Sequence, residues 1–268
     1  NPGVGGGVGD FLKGWQRRLI HSASSGSSTR GTERRQRSWP RRIGRGLSIV
    51  AGGFVVASLA LVLALRWLPA PASSVMTQHW IKAAWQEKSA AFRYDWTPYQ
   101  NISPHAALAV IAAEDQRFPD HYGFDFVEIQ QALADQEEGQ TLRGASTLSQ
   151  QVAKNLFLWS GRGWVRKGLE AWFTVLLELL WSKQRILEVY LNIAEFGEYT
   201  FGVEAASRRF FNKSAAELTT GEAARLAAVL PNPRRYRVDK PSNYVLKRQR
   251  WIEQQMRQLG SVAYLDRL

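Results

Sequence analysis

The chain has 268 residues, of which 45% are hydrophobic, and a formal net charge of +12 from 35 Lys/Arg and 23 Asp/Glu. This length allows one large domain or two small ones, and the hydrophobic content is ordinary for a globular protein. The chain contains no cysteine, which excludes a disulfide framework, a thiol nucleophile and a cysteine-based zinc site.

The first 45 residues carry most of the excess positive charge. They hold ten Lys/Arg and two acids, whereas the other 223 residues hold 25 Lys/Arg and 21 acids. A Gly/Ser/Arg-rich segment has too few apolar groups to bury a core, so we predict a basic disordered tail over 1–45. Contact with anionic lipid is the favoured interpretation. A nucleic-acid-binding arm is the alternative, which the absence of an aromatic or base-reading pattern disfavours, so no nucleic-acid partner is expected.

An uncharged apolar segment follows the tail. Residues 46–65, GLSIVAGGFVVASLALVLAL, are enough to cross a bilayer core of about 30 Å as a helix. Arginines precede the segment, so the positive-inside rule puts the tail in the cytoplasm and the rest of the chain outside. The run is long for a cleaved signal and begins far into the chain. We therefore predict a transmembrane helix over 46–67, rather than a signal or a buried core helix, and a juxtamembrane segment over 68–102.

Helix signals recur through the remainder of the chain, whereas sustained β-alternation is nearly absent. The predicted helix caps are Ser103, Asp125, either Ser146 or Thr147, Ser182, Thr219 and Ser242. A long apolar helix is predicted over 164–181, and EFGEYTFGV at 195–203 could form a loop or a small hairpin at most. The sequence therefore predicts a mostly α protein with one helical domain over 103–268.

The first motif that could carry chemistry is EDQRFPDHYGFD, residues 114–125. Glu114 and Asp115 are neighbours and point about 100° apart on a helix, so one can face a cleft while the other makes structural hydrogen bonds. A glutamate acts as a general base if its surroundings tune its pKa. The alternative is a solvated acid at a helix end. His121 has no second histidine three or four residues away, which argues against a histidine-based metal site.

The second motif is GASTLSQQVAKN, residues 144–155. Thr147, Gln151 and Lys154 share one helix face, and Ser146 lies near the helix N-terminus, where anions are favoured. Hydroxyl, amide and cation together suit sugar hydroxyls and phosphate. A solvated helix face is the alternative.

The third motif, RKGLE, places Arg166, Lys167 and Glu170 on one helical turn. It predicts either a cation cluster for phosphate with a carboxylate nearby, or a simple ion pair between Arg166 and Glu170. Glu178 in the apolar helix that follows is interpreted as the buried partner of a cation.

An apolar cluster between Leu156 and Trp164 is interrupted by the basic, Gly-rich sequence SGRG. Such clusters usually belong to a core. Because this one would lie beside a bilayer, a lipid-facing patch is an equal alternative.

In this order and spacing, the motifs resemble those of the family-51 glycosyltransferases, which polymerise peptidoglycan. The family patterns are E-D-x-x-F-x-x-H-x-G-x-D from Glu114, G-A-S-T-x-x-Q-Q-x-x-K-N from Gly144, R-K-x-x-E from Arg166, and K-x-x-I-L-x-x-Y-L-N from Lys183. The match covers about 90–235, and LPNPRRYRV is similar to the monofunctional branch of the family. Neither S-x-x-K nor K-T-G occurs in the chain, so the resemblance implies polymerisation without cross-linking.

The resemblance implies a lysozyme-like helical glycosyltransferase domain on a single transmembrane helix of the bacterial inner membrane, with the domain in the periplasm. It implies that lipid II is polymerised into linear β-1,4 glycan strands with release of undecaprenyl pyrophosphate, and that moenomycin inhibits the reaction. Lipid II, the growing strand, the bilayer and proteins of cell division or elongation would be the partners. The alternatives are a lysozyme-like glycan-cleaving enzyme and a non-catalytic membrane-tethered scaffold.

The resemblance also implies roles for individual residues. Glu114 would be the general base and Glu170 a second important carboxylate. The residues implied to bind substrate are Ser146, Thr147, Gln151, Lys154, Asn155, Arg166 and Lys167. Asp115, Phe118 and His121 would be structural supports. The metal requirement is open, and a divalent cation, Mg²⁺ or Mn²⁺, is the cofactor that the resemblance allows.

Overall fold

The structure is a computed structural model that describes residues 38–85, 92–137, 146–161 and 163–268. Most of the predicted tail and the first two residues of the second motif, Gly144 and Ala145, lie outside the described residues. The chain divides into two compact units, residues 1–56 and 57–268.

The described residues are mostly helical, which confirms the predicted fold class. The helices are α1 (Ser38–Leu65), α2 (Ser74–Trp85), α3 (Pro104–Glu114), α4 (Phe126–Glu137), α5 (Leu148–Phe157), α6 (Trp164–Leu180), α7 (Lys183–Ile193), α8 (Val203–Phe211), α9 (Thr220–Val229) and α10 (Asn243–Gln258). Short 3₁₀ turns lie at Tyr99–Asn101, Phe118–Asp120, Ala215–Glu217 and Ser261–Arg267.

Helix α1 contains the predicted membrane span. It begins at Ser38, inside the predicted tail, and its segment Ile43–Leu65 is long and apolar enough to cross a membrane. Only 11% of its most apolar window is buried within the protein, which disfavours the alternative of a core helix. The helix therefore has the properties of a membrane anchor.

The C-terminal end of α1, from residue 57 on, belongs to the second unit and forms hydrogen bonds within it. The indole N–H of Trp181 donates to the carbonyl of Val62 at 2.8 Å. The Arg185 guanidinium donates to the carbonyl of Leu65 at 2.8 Å and to that of Leu68 at 2.6 Å. Because carbonyls at a helix C-terminus lack partners within the helix, a cation there satisfies them.

The predicted caps are confirmed, and they fix where the helices begin. The Ser103 hydroxyl accepts from the N–H of His105, with Pro104 at the first helical position. Thr147 and Thr219 each form a reciprocal capping box. Ser182 and Ser242 accept from the first turns of α7 and α10, and Asp125 does so for α4. These contacts satisfy N–H groups that helices leave free.

Helix α3 lies at the centre of the core. Every residue from Ala106 to Ala112 is buried, and the helix packs against α9 and α10, while α5 packs against α6 and α7. An Ala-rich helix allows its neighbours to approach closely. Glu114, the last residue of α3, is therefore held by a rigid element, which suits a catalytic group.

A small sheet completes the fold, with strand order β1-β3-β2. Strands β2 (Glu195–Gly197) and β3 (Thr200–Phe201) pair antiparallel, as the predicted hairpin requires. Strand β1 (Arg93–Tyr94) pairs parallel to β3, a pairing that no local sequence pattern predicts.

Candidate active site

Glu114 opens onto a large cleft with a volume of about 870 Å³. The cleft is lined by Ala112, Ala113, Glu114, Asp115, Gln116, Asp125, Glu128, Ser146, Thr147, Pro231, Tyr244, Lys247, Arg248, Trp251 and Gln255. One wall is acidic and comes from α3, α4 and the loops beside them. The other wall comes mainly from α10 and is basic and aromatic.

The Glu114 carboxylate has few partners for a buried group. Gln151 Nε2 donates to its Oε2 at 3.1 Å, and Arg248 Nη2 lies 3.6 Å from its Oε1. Burial raises the pKa of Glu114, and the Gln151 hydrogen bond and the charges of Arg248 and Lys154 only partly oppose this. A carboxylate with a raised pKa is a stronger base in its ionised form, as the role of general base requires.

The Gln151 amide is held in one orientation by Tyr190. The Tyr190 hydroxyl donates to Gln151 Oε1 at 3.3 Å, which leaves the amide nitrogen to face Glu114. Burial, with a smaller contribution from the charge of Glu114, holds the pKa of Tyr190 well above its ordinary value. The phenol therefore stays protonated and acts as a donor.

The Asp115 carboxylate takes part in an internal hydrogen-bond network. This agrees with the prediction that the side chains of Glu114 and Asp115 point in different directions. The carboxylate of Asp115 accepts from His121 Nε2 at 2.9 Å and from the N–H of Leu148 at 2.9 Å. Phe118 is fully buried, and Lys183 Nζ lies 4.6 Å from the centre of its ring. These contacts join the end of α3 to the start of α5.

Thr147 has a structural task that the helix-face argument does not reveal. Its hydroxyl donates to the Gly123 carbonyl at 2.7 Å and accepts from the N–H of Gln150. Gly123 has a φ of +81°, and a Cβ there would lie 2.6 Å from a methyl carbon of Thr174. The close approach and the left-handed backbone both require glycine. Thr147 thus lines the cleft, and the hydrogen bond of its hydroxyl to Gly123 joins the second motif to the first.

Lys154 and Asn155 line a smaller cavity of about 190 Å³, which Gln151 also lines. This cavity is lined by Val75, Gln151, Lys154, Asn155, Tyr190, Ile193, Ala194, Glu195, Phe201, Leu230 and Pro233. Burial lowers the pKa of Lys154, as do the charges of Arg166 and Lys167, whereas Glu170 and Glu114 raise it. Lys154 therefore interacts electrostatically with both glutamates.

Glu170 is buried and accepts from two cations on its own helix. Arg166 Nη1 donates to its Oε2 at 3.0 Å, and Lys167 Nζ donates to its Oε1. The predicted ion pair between Arg166 and Glu170 is thus confirmed. The side chain of Lys167 is 52% exposed and remains accessible to an anion. None of these three residues lines either cavity, but all of them influence Lys154.

Glu178 is the buried partner of a cation, as predicted. Lys183 Nζ lies 2.8 Å from its carboxylate, and the Ser149 hydroxyl also donates to it. These contacts join α5, α6 and the start of α7, so Glu178 has a structural task.

Comparison with known proteins identifies the relationship. The model of the transglycosylase family matches residues 81–257. The chain is 53% identical over 232 residues to a biosynthetic peptidoglycan transglycosylase of Chromohalobacter salexigens, covering 87% of this chain and 99% of that protein. Proteins with the same name from Pectobacterium carotovorum and Xanthomonas campestris are 56% and 50% identical, over 85% and 89% of this chain and 93% and 98% of their own.

The chain belongs to the transglycosylase family. It is a peptidoglycan glycosyltransferase, in agreement with the activity that the motifs imply. The comparisons thus favour this activity over the two alternatives, glycan cleavage and a non-catalytic scaffold.

The large cleft also includes residues that the motifs do not reveal. Tyr244, Lys247, Arg248, Trp251 and Gln255 lie on one face of α10 and form a wall of the cleft. Their spacing of three and four residues predicts a helix face. The spacing cannot show that this face lies across the cleft from Glu114, because α10 is more than a hundred residues away along the chain.

A divalent ion has one candidate position among the described residues. Ligand atoms of Asp115, His121 and Asp125 lie within 4.8 Å of one another, and His121 Nδ1 and Asp125 Oδ2 have no hydrogen-bond partner. Asp115, however, already accepts two N–H groups, and Arg117 lies 3.2 Å from Asp125. A dication would be repelled by that guanidinium, so the group does not fit Mg²⁺ or Mn²⁺.

Proposed function

We propose that the protein polymerises lipid II into linear β-1,4 glycan strands with Glu114 as the general base. The observation that carries the proposal is the buried, incompletely compensated Glu114 carboxylate on the wall of the large cleft. Glu114 removes the proton from the 4-hydroxyl of the acceptor sugar. The oxygen attacks C1 of the donor sugar, the bond from C1 to the pyrophosphate oxygen breaks, and the α-linkage is inverted to β.

The leaving undecaprenyl pyrophosphate needs cations on the face of C1 opposite to the acceptor. Lys154, Arg166 and Lys167 are proposed to provide them. Lys154 is half-buried beside Gln151, and the charges of Arg166 and Lys167 both lower its pKa. Charge-assisted hydrogen bonds of this kind bind phosphate strongly.

The remaining predicted residues would hold the substrate or the cations in place. Ser146 lines the large cleft, whereas Gln151 and Asn155 line the smaller cavity. Glu170 binds Arg166 and Lys167 directly, and is therefore proposed to orient them towards the pyrophosphate.

The protein is proposed to reside in the bacterial inner membrane, with the basic tail in the cytoplasm and the catalytic domain in the periplasm. The arginines before the apolar span support this orientation. The hydrogen bonds from Trp181 and Arg185 to the end of the span support a catalytic domain close to the bilayer surface. Lipid II requires this, because its lipid remains in the membrane.

The apolar cluster between Leu156 and Trp164 divides into two parts. Leu156 and Leu158 are buried and belong to the core, whereas Trp159 is 50% exposed and Trp164 is 93% exposed. Leu179 of α6 is also exposed. Exposed tryptophan and leucine next to a membrane anchor support contact of this surface with lipid. Proteins of cell division or elongation remain proposed partners.

The proposal is tested with the full-length protein and fluorescent lipid II in detergent. We expect a ladder of glycan strands on a gel, abolished by moenomycin, and we expect Glu114→Gln to fold but form almost no strands. Removal of a general base costs about 10²–10⁴-fold in rate. Polymerisation by Glu114→Gln at the rate of the unaltered protein would contradict the assignment of the base. The absence of any ladder would contradict lipid II as the substrate.

A further inference from the structure

We infer that the α10 wall of the large cleft is the binding site for the acceptor saccharide, with Trp251 and Tyr244 as its aromatic contacts. This inference rests on the proposed role of Glu114 as general base. It adds the identity of the residues that hold the sugar whose hydroxyl Glu114 deprotonates.

Geometry decides which sugar the large cleft receives. A displacement with inversion places the attacking oxygen and the leaving group on opposite faces of C1. Lys154, one of the cations proposed for the leaving group, lines the smaller cavity together with Gln151. Glu114 lines the large cleft, and Lys154 does not. The large cleft is therefore on the acceptor side.

The sizes of the two cavities support the same assignment. A volume of about 870 Å³ lies within the range of about 300–1,000 Å³ that is usual for ligand pockets. The smaller cavity of about 190 Å³ is below that range and suits a compact anionic group. A disaccharide with its substituents is too large for the smaller cavity, so the acceptor saccharide must be held by the walls of the large cleft.

The side chains of the α10 wall have the chemistry that a sugar requires. Trp251 is 41% exposed and Tyr244 is 48% exposed, although both are large aromatic residues that proteins usually bury. Flat, amphipathic rings of this kind offer apolar area together with a polar edge, which matches the C–H face and the hydroxyl groups of a sugar ring.

Neighbouring contacts hold the two rings in place before a sugar binds. Tyr244 stacks on Tyr236 with 4.7 Å between ring centres, and the Arg248 guanidinium lies 5.8 Å from the centre of the Trp251 ring. Arg248 also approaches Glu114, at 3.6 Å. The wall that holds the sugar is thus linked to the base, and Lys247 adds positive charge that attracts the acidic groups of the acceptor.

The test separates the acceptor from the donor. A labelled lipid-linked disaccharide whose 4-hydroxyl has the inverted configuration can donate but cannot accept. With this donor at saturation, the concentration of ordinary lipid II is varied, and the formation of labelled product gives the acceptor KM and kcat. The full-length protein is used in detergent.

We expect Trp251→Ala and Tyr244→Ala each to raise the acceptor KM roughly three- to tenfold, the range expected for loss of one aromatic contact. The kcat at saturating acceptor should change less than the KM, and Trp251→Phe should restore most of the affinity. The donor KM should stay unchanged in all three variants. Tyr122→Ala, an exposed aromatic residue outside the cleft lining, is the matched control and should keep the acceptor KM of the unaltered protein.

An unchanged acceptor KM in Trp251→Ala and Tyr244→Ala would overturn the inference, and so would a rise confined to the donor KM. A fall in kcat alone would also overturn it, because the wall would then act only on Glu114 through Arg248. If Trp251→Ala does not fold, Tyr244→Ala decides by itself. Failure of the proposed function is a different result, namely an active Glu114→Gln or an inactive unaltered protein.

Discussion

Two glutamates, Glu114 and Glu170, show how burial can lead to different tasks. Glu170 accepts directly from Arg166 and Lys167, both on its own helix. Glu114 has one amide donor at 3.1 Å and one guanidinium at 3.6 Å, both from distant parts of the chain. A well-compensated carboxylate can orient its cations, whereas an incompletely compensated one retains affinity for a proton. Burial alone therefore does not identify a base.

The largest expected effect is a difference in kinetics between the two glutamine variants. Glu114→Gln should lower kcat by about 10²–10⁴-fold with little change in KM, because it removes the base and not a binding group. Glu170→Gln should mainly raise the donor KM, because Arg166 and Lys167 lose their orientation. Steady-state polymerisation assays measure both quantities. If Glu170→Gln lowers kcat as severely as Glu114→Gln does, with an unchanged KM, the proposed division of roles between base and orienting carboxylate is wrong.

The Glu114→Gln and Glu170→Gln variants should also differ in thermodynamic stability. Glu170→Gln should lower the free energy of unfolding by about 1.5–3 kcal/mol, since hydrogen bonds to charged groups are lost. Glu114 has a raised pKa in the folded state, so its ionised form destabilises the fold at neutral pH. Glu114→Gln should therefore melt at the same or a higher temperature. Thermal denaturation compares both variants with Asp266→Asn, an exposed acid that should change nothing. A clear loss of stability in Glu114→Gln would contradict the conclusion that the partners of the Glu114 carboxylate compensate only partly for its burial.

The pH dependence of kcat should follow Glu114 and Lys154. Activity requires Glu114 to be deprotonated, so it should rise with pH through a midpoint above the ordinary carboxyl value of 4.5, because burial raises this pKa. It requires Lys154 to be protonated, so it should fall through a midpoint below the ordinary lysine value of 10.5, because burial lowers that pKa. A bell-shaped profile is expected. An acid limb at or below pH 4.5 would contradict the role of Glu114.

The smallest expected effect concerns Arg248, which links α10 to the base. Its charge lowers the pKa of Glu114, in opposition to the larger effect of burial. Arg248→Gln should therefore move the acid limb of the pH–rate profile to higher pH, and Arg248→Lys should largely restore its position. Arg250→Gln is the matched control, since Arg250 is exposed on the same helix outside the cleft lining. A limb that stays in place in Arg248→Gln would show that the ion pair does not tune the base.

Local signals in the sequence predicted the helices well. Ser103, Thr147 and Thr219 cap helices as predicted, because a cap depends on residues two or three positions away. The anchor was predicted from an uncharged apolar run, although α1 begins earlier than the run does. The pairing of β1 with β3 was not predicted, since it joins Arg93 to Thr200 across more than a hundred residues of chain.

The sequence by itself determined the helical character, the anchor, the family motifs and the ion pair within α6, because each depends on composition or on neighbours within one helical turn. Only the tertiary structure decided that Gln151 orients towards Glu114, that Thr147 uses its hydroxyl to hold Gly123, and that α10 closes the cleft. The physical reason is that the pKa of a buried carboxylate depends on desolvation and on charges from several elements at once. Packing brings those elements together, and no local pattern in the chain records their distances.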